Sequence, residues 1–471
     1  MSTGTQIIII VLYMAVTIAL GLLSRRGGRD SHAFMGVGIG VLLCVFASAG
    51  EWMGGTSTTG VSEYGFTYGI SGAWYTIANG LGICFLALFF AKLYRSLGKV
   101  TVSGIIGRYL GARAGMVSAA LLIIVMIMVG ASQLVAIGTL GQTLLGLSAP
   151  VSIAVLGGCI ILYTLFGGIL AVGYTNILHM LTIYIGMGVA LAVSLSNIGG
   201  MTALQETLPP EYFNFTTIGS SKVISWIIAS VLGACTAQAG IQPVLAAKDE
   251  KTAVRSSFLT ALIVAPFGLL TALLGMIARV NFPDLSDAKL ALPQLMLSLN
   301  PVVGGMVLAA ILAAVLSTAS PIFLASGTLF TKDIYQYYRK DVPDKKVLKI
   351  SKLSTLISGL VCIVIAIALY DSTMLLDVVY FAYSIRGSIF VILAMGIFWK
   401  RTTPSGAITG MAATAIVGIT WVAVKRVTGS YPLHPEFTET YAAVLSATVF
   451  TVVSSLISRG QASVRGRKKE G

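Results

Sequence analysis

The sequence predicts an all-α polytopic membrane protein with about thirteen transmembrane helices, built around two inverted repeats of five helices each. Three observations predict this class. Charged residues make up 10% of the chain, against about 25% in soluble domains. The mean hydropathy is +0.90, and apolar windows of about 19 residues recur along the whole length. Gly-rich interruptions of two such windows lie at matching positions in the two halves of the chain.

The apolar windows define the predicted spans. The first of them lacks a basic segment ahead of it and is followed by Arg25, Arg26 and Arg29, so we interpret it as a retained helix rather than a cleaved signal. Two windows exceed the roughly 20 residues that a span requires, and we expect those helices to be tilted or to extend into the cytoplasm. The thirteen spans lie near residues 6–23, 36–59, 69–94, 114–145, 150–168, 174–197, 222–245, 252–280, 301–335, 349–370, 375–398, 404–424 and 439–458.

Lys and Arg are distributed unevenly between the segments that join these spans. With the N-terminus outside, 25 of the 31 Lys and Arg residues fall in cytoplasmic segments and 5 in external ones, and Arg386 lies inside a span. Cytoplasmic loops of membrane proteins carry such an excess of basic residues. The sequence therefore predicts a multi-pass cell-membrane protein, of a bacterial inner membrane, with the N-terminus outside. The basic tail, residues 459–471, then lies in the cytoplasm near anionic headgroups.

The remaining composition excludes several classes of protein. A net charge of +14 would suggest a nucleic-acid partner in a soluble chain, but here the charge lies in short loops and reports orientation. The expected partners are the lipid bilayer and a small solute, with no nucleic acid and no obligatory protein partner. Three histidines stand at no catalytic spacing, which argues against an enzyme. The five cysteines, at 44, 84, 159, 235 and 362, lie in apolar segments and indicate no disulfide framework.

The first interruption, residues 46–60, has the sequence FASAGEWMGGTSTTG. It carries four glycines and a carboxylate, Glu51, inside a stretch long and apolar enough to span a bilayer. Glycines weaken a helix, and a carboxylate at membrane depth is costly unless it faces a partner or a wet cavity. Unwound backbone at that depth is tolerated only where it is buried in protein or lines a cavity. This stretch therefore predicts a broken helix at a solute or ion site.

The second interruption, GACTAQAG at residues 233–240, indicates an internal repeat. Long spans starting near 114 and 301 are separated by about the same 187 residues as the two interruptions. Paired broken helices indicate a transporter with inverted repeats, because five helices per half reverse the second half. The predicted organisation is an N-terminal helix and loop (1–30), a first repeat (31–198), an external loop (199–221), a second repeat (222–400), two peripheral helices (401–458) and the basic tail (459–471).

A third informative stretch, residues 308–335, places adjacent hydroxyls of Ser317 and Thr318 in an apolar helix. Pro321 cannot donate to the carbonyl of Ser317 four residues earlier, so that turn is loosened. Hydroxyl oxygens with freed carbonyls suit a hard monovalent cation. The alternative is that both hydroxyls bond back to the preceding turn, as they often do in membrane helices.

The run at residues 304–335, ending TLFTKDIY, resembles the signature of the sodium/solute symporter family. QPVLAAKDEKTAVR (242–255), GGILAVGYTN (167–176) and GIFWKR (396–401) also fall where that family has characteristic runs. The resemblance covers roughly residues 30–400. It implies a LeuT-like core of five plus five helices around a central site, with one extra N-terminal and two extra C-terminal helices.

The family resemblance also implies a sodium site. It places carbonyl ligands at Val45 and Ser48 of the first core helix and at Ala314 of the eighth, with the hydroxyls of Ser317 and Thr318. Many members carry an aspartate where Asn176 stands here, and that aspartate is implicated in a second sodium. Ala314 likewise lacks a hydroxyl for a second site. We therefore expect one sodium ion per transport cycle.

Residues after the first break are the candidates for solute binding. Glu51 and Trp52 follow the break directly, and Gln133, Gln238 and Arg386 belong to other core helices. Arg386 lies midway along its span, too deep to reach the interface, and membrane arginines at such depth pair with carboxylates or bind anions. The alternatives are a structural Glu51–Arg386 ion pair and, for each glutamine, an interhelical polar contact. By contrast, Glu63 and Asp377 near the external helix ends are expected to be hydrated.

The sequence therefore predicts a secondary active symporter that uses the sodium gradient to import a small polar solute, a carboxylate or a zwitterion. The closest alternative is a proton-coupled or uncoupled permease of the same fold, because Glu51 is a buried acid and the family aspartate is missing. An ion channel is a more remote alternative, since no filter-like repeat or continuous polar lining is present.

Overall fold

The chain is helical throughout the part that the computed structural model describes, residues 2–24, 38–339, 341–371 and 374–467. Side chains are described for residues 4–20, 38–165, 175–339, 341–371 and 374–458. An isolated parallel bridge joins Ile39 to Ala247. The all-α prediction is confirmed. The basic loop predicted at 25–30, the last residues of the basic tail and the side chains of 167–174 in the GGILAVGYTN run lie outside the described residues.

Nineteen α-helices follow one another within the described ranges. The first half of the chain contains α1 (Ser2–Ser24), α2 (Val41–Trp52), α3 (Val61–Tyr68), α4 (Trp74–Phe89), α5 (Ala91–Ser96), α6 (Val102–Leu110), α7 (Ala112–Leu145), α8 (Ala149–Asn197) and α9 (Gly200–Thr207). The second half contains α10 (Ser220–Ala234), α11 (Gln238–Ala246), α12 (Glu250–Asn281), α13 (Ala291–Ser298), α14 (Pro301–Leu329), α15 (Gln336–Tyr338), α16 (Asp344–Leu369), α17 (Leu375–Phe398), α18 (Pro404–Thr428) and α19 (Glu439–Arg467). Short 3-10 helices lie at Gly69–Ala73, Pro210–Phe213 and Ala288–Leu290, and π-helices at Thr56–Gly60 and Phe330–Tyr335.

Ten helical stretches of the described residues are long and apolar enough to cross a membrane. Three shorter apolar helices, Gly4–Leu20, Val41–Trp52 and Ala149–Leu165, coincide with the remaining predicted spans. A multi-pass helical membrane protein is thereby confirmed. The count of thirteen spans stays a prediction.

The first predicted break lies between α2 and α3. Helix α2 ends at Trp52, Met53 leaves the helical region with φ −112° and ψ 55°, and a π-helical turn, Thr56–Gly60, leads into α3. An added Cβ at Gly54 would lie 2.3 Å from the Gln133 Oε1 and 2.4 Å from the Thr318 Oγ1. Glycine is therefore required here for the close approach of α7 and α14 to the interrupted backbone.

The second break lies between α10 and α11. Helix α10 ends at Ala234, and Ala237 has φ −72° and ψ 85°, so the intervening turn is not helical. The half-helices from the two breaks pack against each other, since the Ser48 hydroxyl donates to the Gly240 carbonyl over 2.9 Å. The two interruptions that the sequence placed about 187 residues apart are thus neighbours in the fold.

Helix α8 is assigned as one continuous helix, whereas the sequence predicts two spans there. The Tyr163 and Thr175 hydroxyls are nevertheless 2.8 Å apart, although twelve residues of straight helix would separate them by about 18 Å. Thr164 bonds to Ser320 on α14, and the neighbouring Asn176 reaches Ser317 on the same helix. Helix α8 is therefore not straight between Tyr163 and Thr175, and residues on both sides of this point contact α14. Its division into two spans stays a prediction.

Helix α14 is the centre of the bundle. It is buried over almost its whole length, and α1, α2, α7, α8 and α16 pack around it. Pro321 lies inside the helix and leaves the Ser317 carbonyl without its intrahelical donor. By contrast, α18 and α19 pack on each other and on α17, consistent with their predicted place at the periphery.

Candidate functional site

Two hydroxyls of α14 converge on the end of α2. The Thr318 hydroxyl donates to the Gly50 carbonyl over 2.6 Å. The Ser317 hydroxyl lies within hydrogen-bond distance of the carbonyls of Gly50 and Ala314, at 3.1 and 2.9 Å. All four residues are buried. The structure thus brings two hydroxyls and two carbonyls from two helices into one cluster, which we call the oxygen cage (Gly50, Ala314, Ser317 and Thr318).

The oxygen cage contains the α2 carbonyl of Gly50, whereas the family resemblance implies those of Val45 and Ser48, which stay predictions. Carbonyls inside an α-helix accept from the N–H four residues on, so those of Val45 and Ser48 are engaged within α2. The last four carbonyls of a helix have no such donor. Ala49 regains one from Met53 N–H, and Gly50 accepts from the two α14 hydroxyls. The side chain of Ser48 is turned to Gly240. Carbonyl oxygens without an intrahelical donor therefore lie at the end of α2 and not in its middle.

Asn176 lies directly against the oxygen cage. Its amide nitrogen is 3.5 Å from the Ser317 carbonyl, the carbonyl that Pro321 deprives of a helical donor. An added Cβ at Gly50 would lie 2.2 Å from the same nitrogen. An amide can donate to a carbonyl, whereas a carboxylate can only accept when ionised. Asn176 therefore completes the bonding of α14 here.

Gln133 forms hydrogen bonds to residues at the break of the first core helix. Its Oε1 accepts from the Gly55 backbone N–H over 2.7 Å, and its Nε2 is 3.3 Å from the Thr56 hydroxyl. The Thr56 hydroxyl also lies 3.0 Å from the Tyr75 hydroxyl, which is 3.1 Å from that of Tyr383. Gln133 thereby links the break to a buried aromatic cluster.

Arg386 is fully buried within this aromatic cluster. Its guanidinium carbon lies 3.4 Å from the centroid of the Tyr383 ring and 5.0 Å from that of Trp52. Nε, Nη1 and Nη2 have no hydrogen-bond partner in the described part of the chain. Cation–π contacts thus hold the guanidinium by its face, and all of its in-plane donors are left over for a further ligand.

Glu51 also lies beside Trp52. It is 4% exposed, and an added Cβ at Gly240 would lie 2.8 Å from its Oε2 and 2.7 Å from Trp52 Nε1. That Oε2 has no hydrogen-bond partner among the described residues. The ion pairs found between described residues do not include Glu51 with Arg386. Glu51 and Arg386 thus both lie near Trp52, but they do not form the direct ion pair that was one of the two alternatives from the sequence.

Gln238 does not belong to this cluster. Its Oε1 accepts from the Val102 N–H over 2.8 Å, and its Nε2 is 3.3 Å from the Val100 carbonyl. Both amide atoms thus bind the backbone ahead of α6. The structure assigns Gln238 to the interhelical contact that the sequence offered as the alternative to solute binding.

Glu63 differs from the hydrated state expected for it, whereas the Asp377 side chain is 37% exposed, in keeping with that expectation. Glu63 is buried and accepts from the Leu375 N–H at the start of α17, over 3.0 Å. Asp377 forms an ion pair with Lys222 at 3.0 Å and accepts from the Tyr64 hydroxyl at 2.7 Å. Hydropathy places these acids at helix ends, but tertiary packing supplies the donors. The contacts join α3, α10 and α17 above the central cluster.

Sequence reasoning did not single out Gly50, Thr56 or Tyr75, which the structure places at these contacts. Gly50 has no functional side chain, and its carbonyl is informative only once the end of α2 is known. Thr56 and Tyr75 stand in an apolar stretch with many hydroxyls, where nothing distinguishes them. The position of Gly50 within the last turn of a broken helix is the one signal that could have identified it.

Comparisons with known proteins agree with this geometry. The model of the sodium:solute symporter family matches residues 34–414. Sodium/proline symporters of Staphylococcus aureus, among them those of strains JH9 and COL, are 26% identical over 492 aligned positions, which cover 97% of this chain and 94% of the relative.

Solved structures show a similar fold. A Na+-coupled sialic acid symporter in a substrate-bound outward-open state has a TM-score of 0.81 at 17% identity, covering 96% of this chain and 97% of that one. The nucleobase-cation-symport-1 family transporter Mhp1 in a closed conformation has a TM-score of 0.60 at 13% identity, covering 89% and 93%. These likenesses establish the LeuT-like fold.

Proposed function

The chain belongs to the sodium:solute symporter family, whose members are transporters and not enzymes, and from this premise we propose that it imports a small carboxylate or zwitterion together with sodium. Sodium-coupled symport follows from the family. The chemical class of the solute rests on one observation, the buried guanidinium of Arg386 with three nitrogen donors left unpartnered beside the first helix break.

The solute proposal follows from the cost of burying charge. A fully buried cation without hydrogen bonds is strongly unfavourable, and the planar fork of a guanidinium matches a carboxylate in two parallel bonds. Arg386 therefore suits the carboxylate of a solute. Glu51, whose Oε2 also has no hydrogen-bond partner among the described residues, suits an ammonium or hydroxyl group of the same molecule. The name of the sodium/proline symporter relatives supports a zwitterion, since proline carries one group of each kind.

The aromatic rings support a compact solute. The rings of Trp52 and Tyr383 both lie against the Arg386 guanidinium. Tyr75 stacks with Tyr383 at a centroid distance of 6.3 Å. These side chains would bound an apolar part of the solute and keep water away from the Arg386 contact. Gln133 would hold the break in place rather than bind the solute strongly, because both of its amide atoms are engaged.

We place the sodium ion at the oxygen cage. The carbonyls of Gly50 and Ala314 and the hydroxyls of Ser317 and Thr318 would supply four oxygens. Val45 and Ser48 are replaced in this proposal, while Ala314, Ser317 and Thr318 are retained. One sodium per cycle remains our proposal, because Asn176 donates to a carbonyl of this region and provides no anionic ligand.

Coupling follows from adjacency along α2. Gly50 belongs to the oxygen cage and Glu51 to the solute cluster, so an ion that fastens the end of α2 to α14 also positions Glu51 and Trp52. Each ligand then favours the same conformation, and the two affinities are linked through one equilibrium. We further propose the predicted orientation, N-terminus outside, and the predicted division into repeats at 31–198 and 222–400.

A thermal-stability screen of the purified protein tests the proposal. Small acids, amino acids, sugars and ureas are added in sodium or in potassium buffer. A ligand present at a hundred times its Kd stabilises by about 2.7 kcal/mol, so we expect a carboxylate or zwitterion to raise the melting temperature in sodium only. Equal stabilisation in potassium would reject sodium coupling and favour an uncoupled or proton-coupled permease. Stabilisation by neutral sugars alone would reject the role of Arg386.

A further inference from the structure

A second cavity, remote from the solute cluster, lies where α6, the start of α7 and the end of α14 meet. Its volume is about 450 Å³. Three basic side chains line it, and they come from three different elements: Lys99 precedes α6, Arg108 lies on α6, and Lys332 belongs to the π-helix after α14. We call it the basic cavity. The symport mechanism proposed above does not use it.

In the described part of the chain, none of the three cations lies within 4.0 Å of a carboxylate oxygen. Ion pairs between described residues involve other basic side chains. Asp333, the acidic residue that lines the basic cavity, accepts hydrogen bonds from the Thr101 and Ser103 hydroxyls at 3.1 and 2.8 Å. The cavity therefore carries a formal excess of two positive charges, which repel one another. A bound anion would offset this repulsion.

Glycines form part of the wall of the basic cavity, so the backbone of α6 is exposed to it there. Gly104 and Gly107 lie one turn apart on α6 and both line it. A Cβ added at Gly107 would meet nothing nearer than the Gly115 Cα at 3.7 Å. The missing side chains leave room for a group the size of a phosphate to approach the helix directly.

The position of the cavity identifies the source of the anion. Exposed aromatic side chains stand next to its lining residues: Tyr109 is 36% exposed and Tyr338 is 68% exposed. Tyrosines concentrate at the membrane–water interface. The cavity also lies at the helix ends that carry most of the Lys and Arg residues, and basic pockets between membrane helices on that side suit lipid headgroups.

We propose that the basic cavity binds the phosphate headgroup of an anionic phospholipid, with Lys99, Arg108 and Lys332 as its ligands. The headgroup would join the segment before α6 to the π-helix after α14, alongside the contacts that Asp333 makes with Thr101 and Ser103. Because Gln238 at the second break binds the backbone of Val100 and Val102, the lipid would sit next to a junction of α6, α11 and α14.

The test measures lipid binding and does not depend on the solute or on sodium. The purified full chain in neutral detergent is titrated with phosphatidylglycerol or phosphatidylcholine, and bound lipid is counted by native mass spectrometry. The variant Lys99→Gln/Arg108→Gln/Lys332→Gln is compared with Lys345→Gln/Lys346→Gln/Lys349→Gln, which removes three exposed charges that do not line the cavity. Each cation at a membrane surface contributes about fivefold in affinity, so we expect a loss of about a hundredfold for the cavity variant alone.

Two further measurements separate a folding defect from loss of the site, and a lipid from inorganic phosphate as its occupant. The charge-retaining variant Lys99→Arg/Arg108→Lys/Lys332→Arg should still prefer phosphatidylglycerol, and its melting temperature reports folding. Inorganic phosphate is added to protein in phosphatidylcholine nanodiscs. Unchanged phosphatidylglycerol binding in the cavity variant, or an equal loss in the control, would overturn the site. Stabilisation by inorganic phosphate as strong as that by phosphatidylglycerol would overturn the lipid as its occupant.

Discussion

Ser317 and Thr318 show how two ordinary hydroxyls acquire a role. In most membrane helices they bond back to the preceding turn, and Ser317 is indeed 2.9 Å from the Ala314 carbonyl. Both also reach the Gly50 carbonyl on another helix. That second contact, and not the residue types, is what makes a cation site between α2 and α14 credible.

Replacing both hydroxyls, Ser317→Ala with Thr318→Ala, should raise the sodium concentration needed for half-maximal stabilisation or uptake by on the order of a hundredfold. Two hydrogen-bond or ion contacts to a charged group are lost, each worth about 1.5–3 kcal/mol. Sodium titration of the melting temperature measures this. Ser320→Ala is the matched control, because Ser320 is bonded to Thr164 and not to the oxygen cage. Normal sodium activation in the double variant would contradict the site.

Arg386 distinguishes a structural charge from a ligand-binding one. Breaking a buried ion pair typically destabilises a protein by 3–5 kcal/mol. Removing an unpartnered guanidinium removes a burial cost instead. The Arg386→Gln variant should therefore melt, without solute, no lower than the parent protein, and its solute affinity should fall by at least about thirtyfold.

Arg386→Lys supplies the companion measurement. A lysine keeps the charge but loses the planar fork, so we expect it to restore little of the solute affinity. Solute titration of the melting temperature in sodium compares the three proteins. A large fall in melting temperature for Arg386→Gln, with solute affinity unchanged, would assign Arg386 to structure alone.

At the scale of elements, the two broken helices carry the site. Their half-helices meet at Ser48 and Gly240, and the first break is held open by Gln133 bonding to Gly55. Interrupted helices expose carbonyls at their ends, which a continuous span cannot offer. The elements thereby explain why an apolar bundle contains a polar centre.

Adding one methyl group at the first break tests this arrangement. In Gly54→Ala the new Cβ would lie 2.3 Å from Gln133 Oε1 and 2.4 Å from Thr318 Oγ1, so both side chains must shift. We expect a lower melting temperature together with a loss of sodium response. Gly158→Ala is the control, because its Cβ meets nothing within 4 Å and alanine favours a helix by about 1 kcal/mol. Equal behaviour of both variants would show that the break is not closely packed.

At the scale of the whole molecule, the central cluster is buried, and two sets of polar contacts join other elements of the bundle. Lys222, Asp377 and Tyr64 form one set, and Asp333 and Gln238 with residues 100–103 form the other. Glu51 and Arg386 are accordingly almost inaccessible to water. A transporter with alternating access has to release one set of these contacts at a time.

The orientation of the molecule gives a further prediction. In a chain whose five cysteines are replaced, Arg426→Cys should react with an impermeant thiol reagent added to intact cells. Lys345→Cys should react only after permeabilisation, because basic segments stay in the cytoplasm. The reverse labelling pattern would reject an external N-terminus.

The sequence by itself determined the class of protein, the approximate spans, the two breaks and the residues Ser317, Thr318, Glu51 and Arg386. Hydropathy, glycine and proline act locally, so their effects can be predicted from a short stretch of chain. The family motifs added sodium coupling, which the matched family confirms.

Only the tertiary structure decided which groups meet. It brought the Gly50 carbonyl to the hydroxyls of Ser317 and Thr318, bonded Gln238 to the backbone before α6 and buried Glu63. The ion pairs between described residues do not include Glu51 with Arg386. Each of these outcomes depends on the rotation of one helix against another. A turn of 100° per residue moves a side chain or a carbonyl to a different neighbour, and the order of residues along the chain does not specify that rotation.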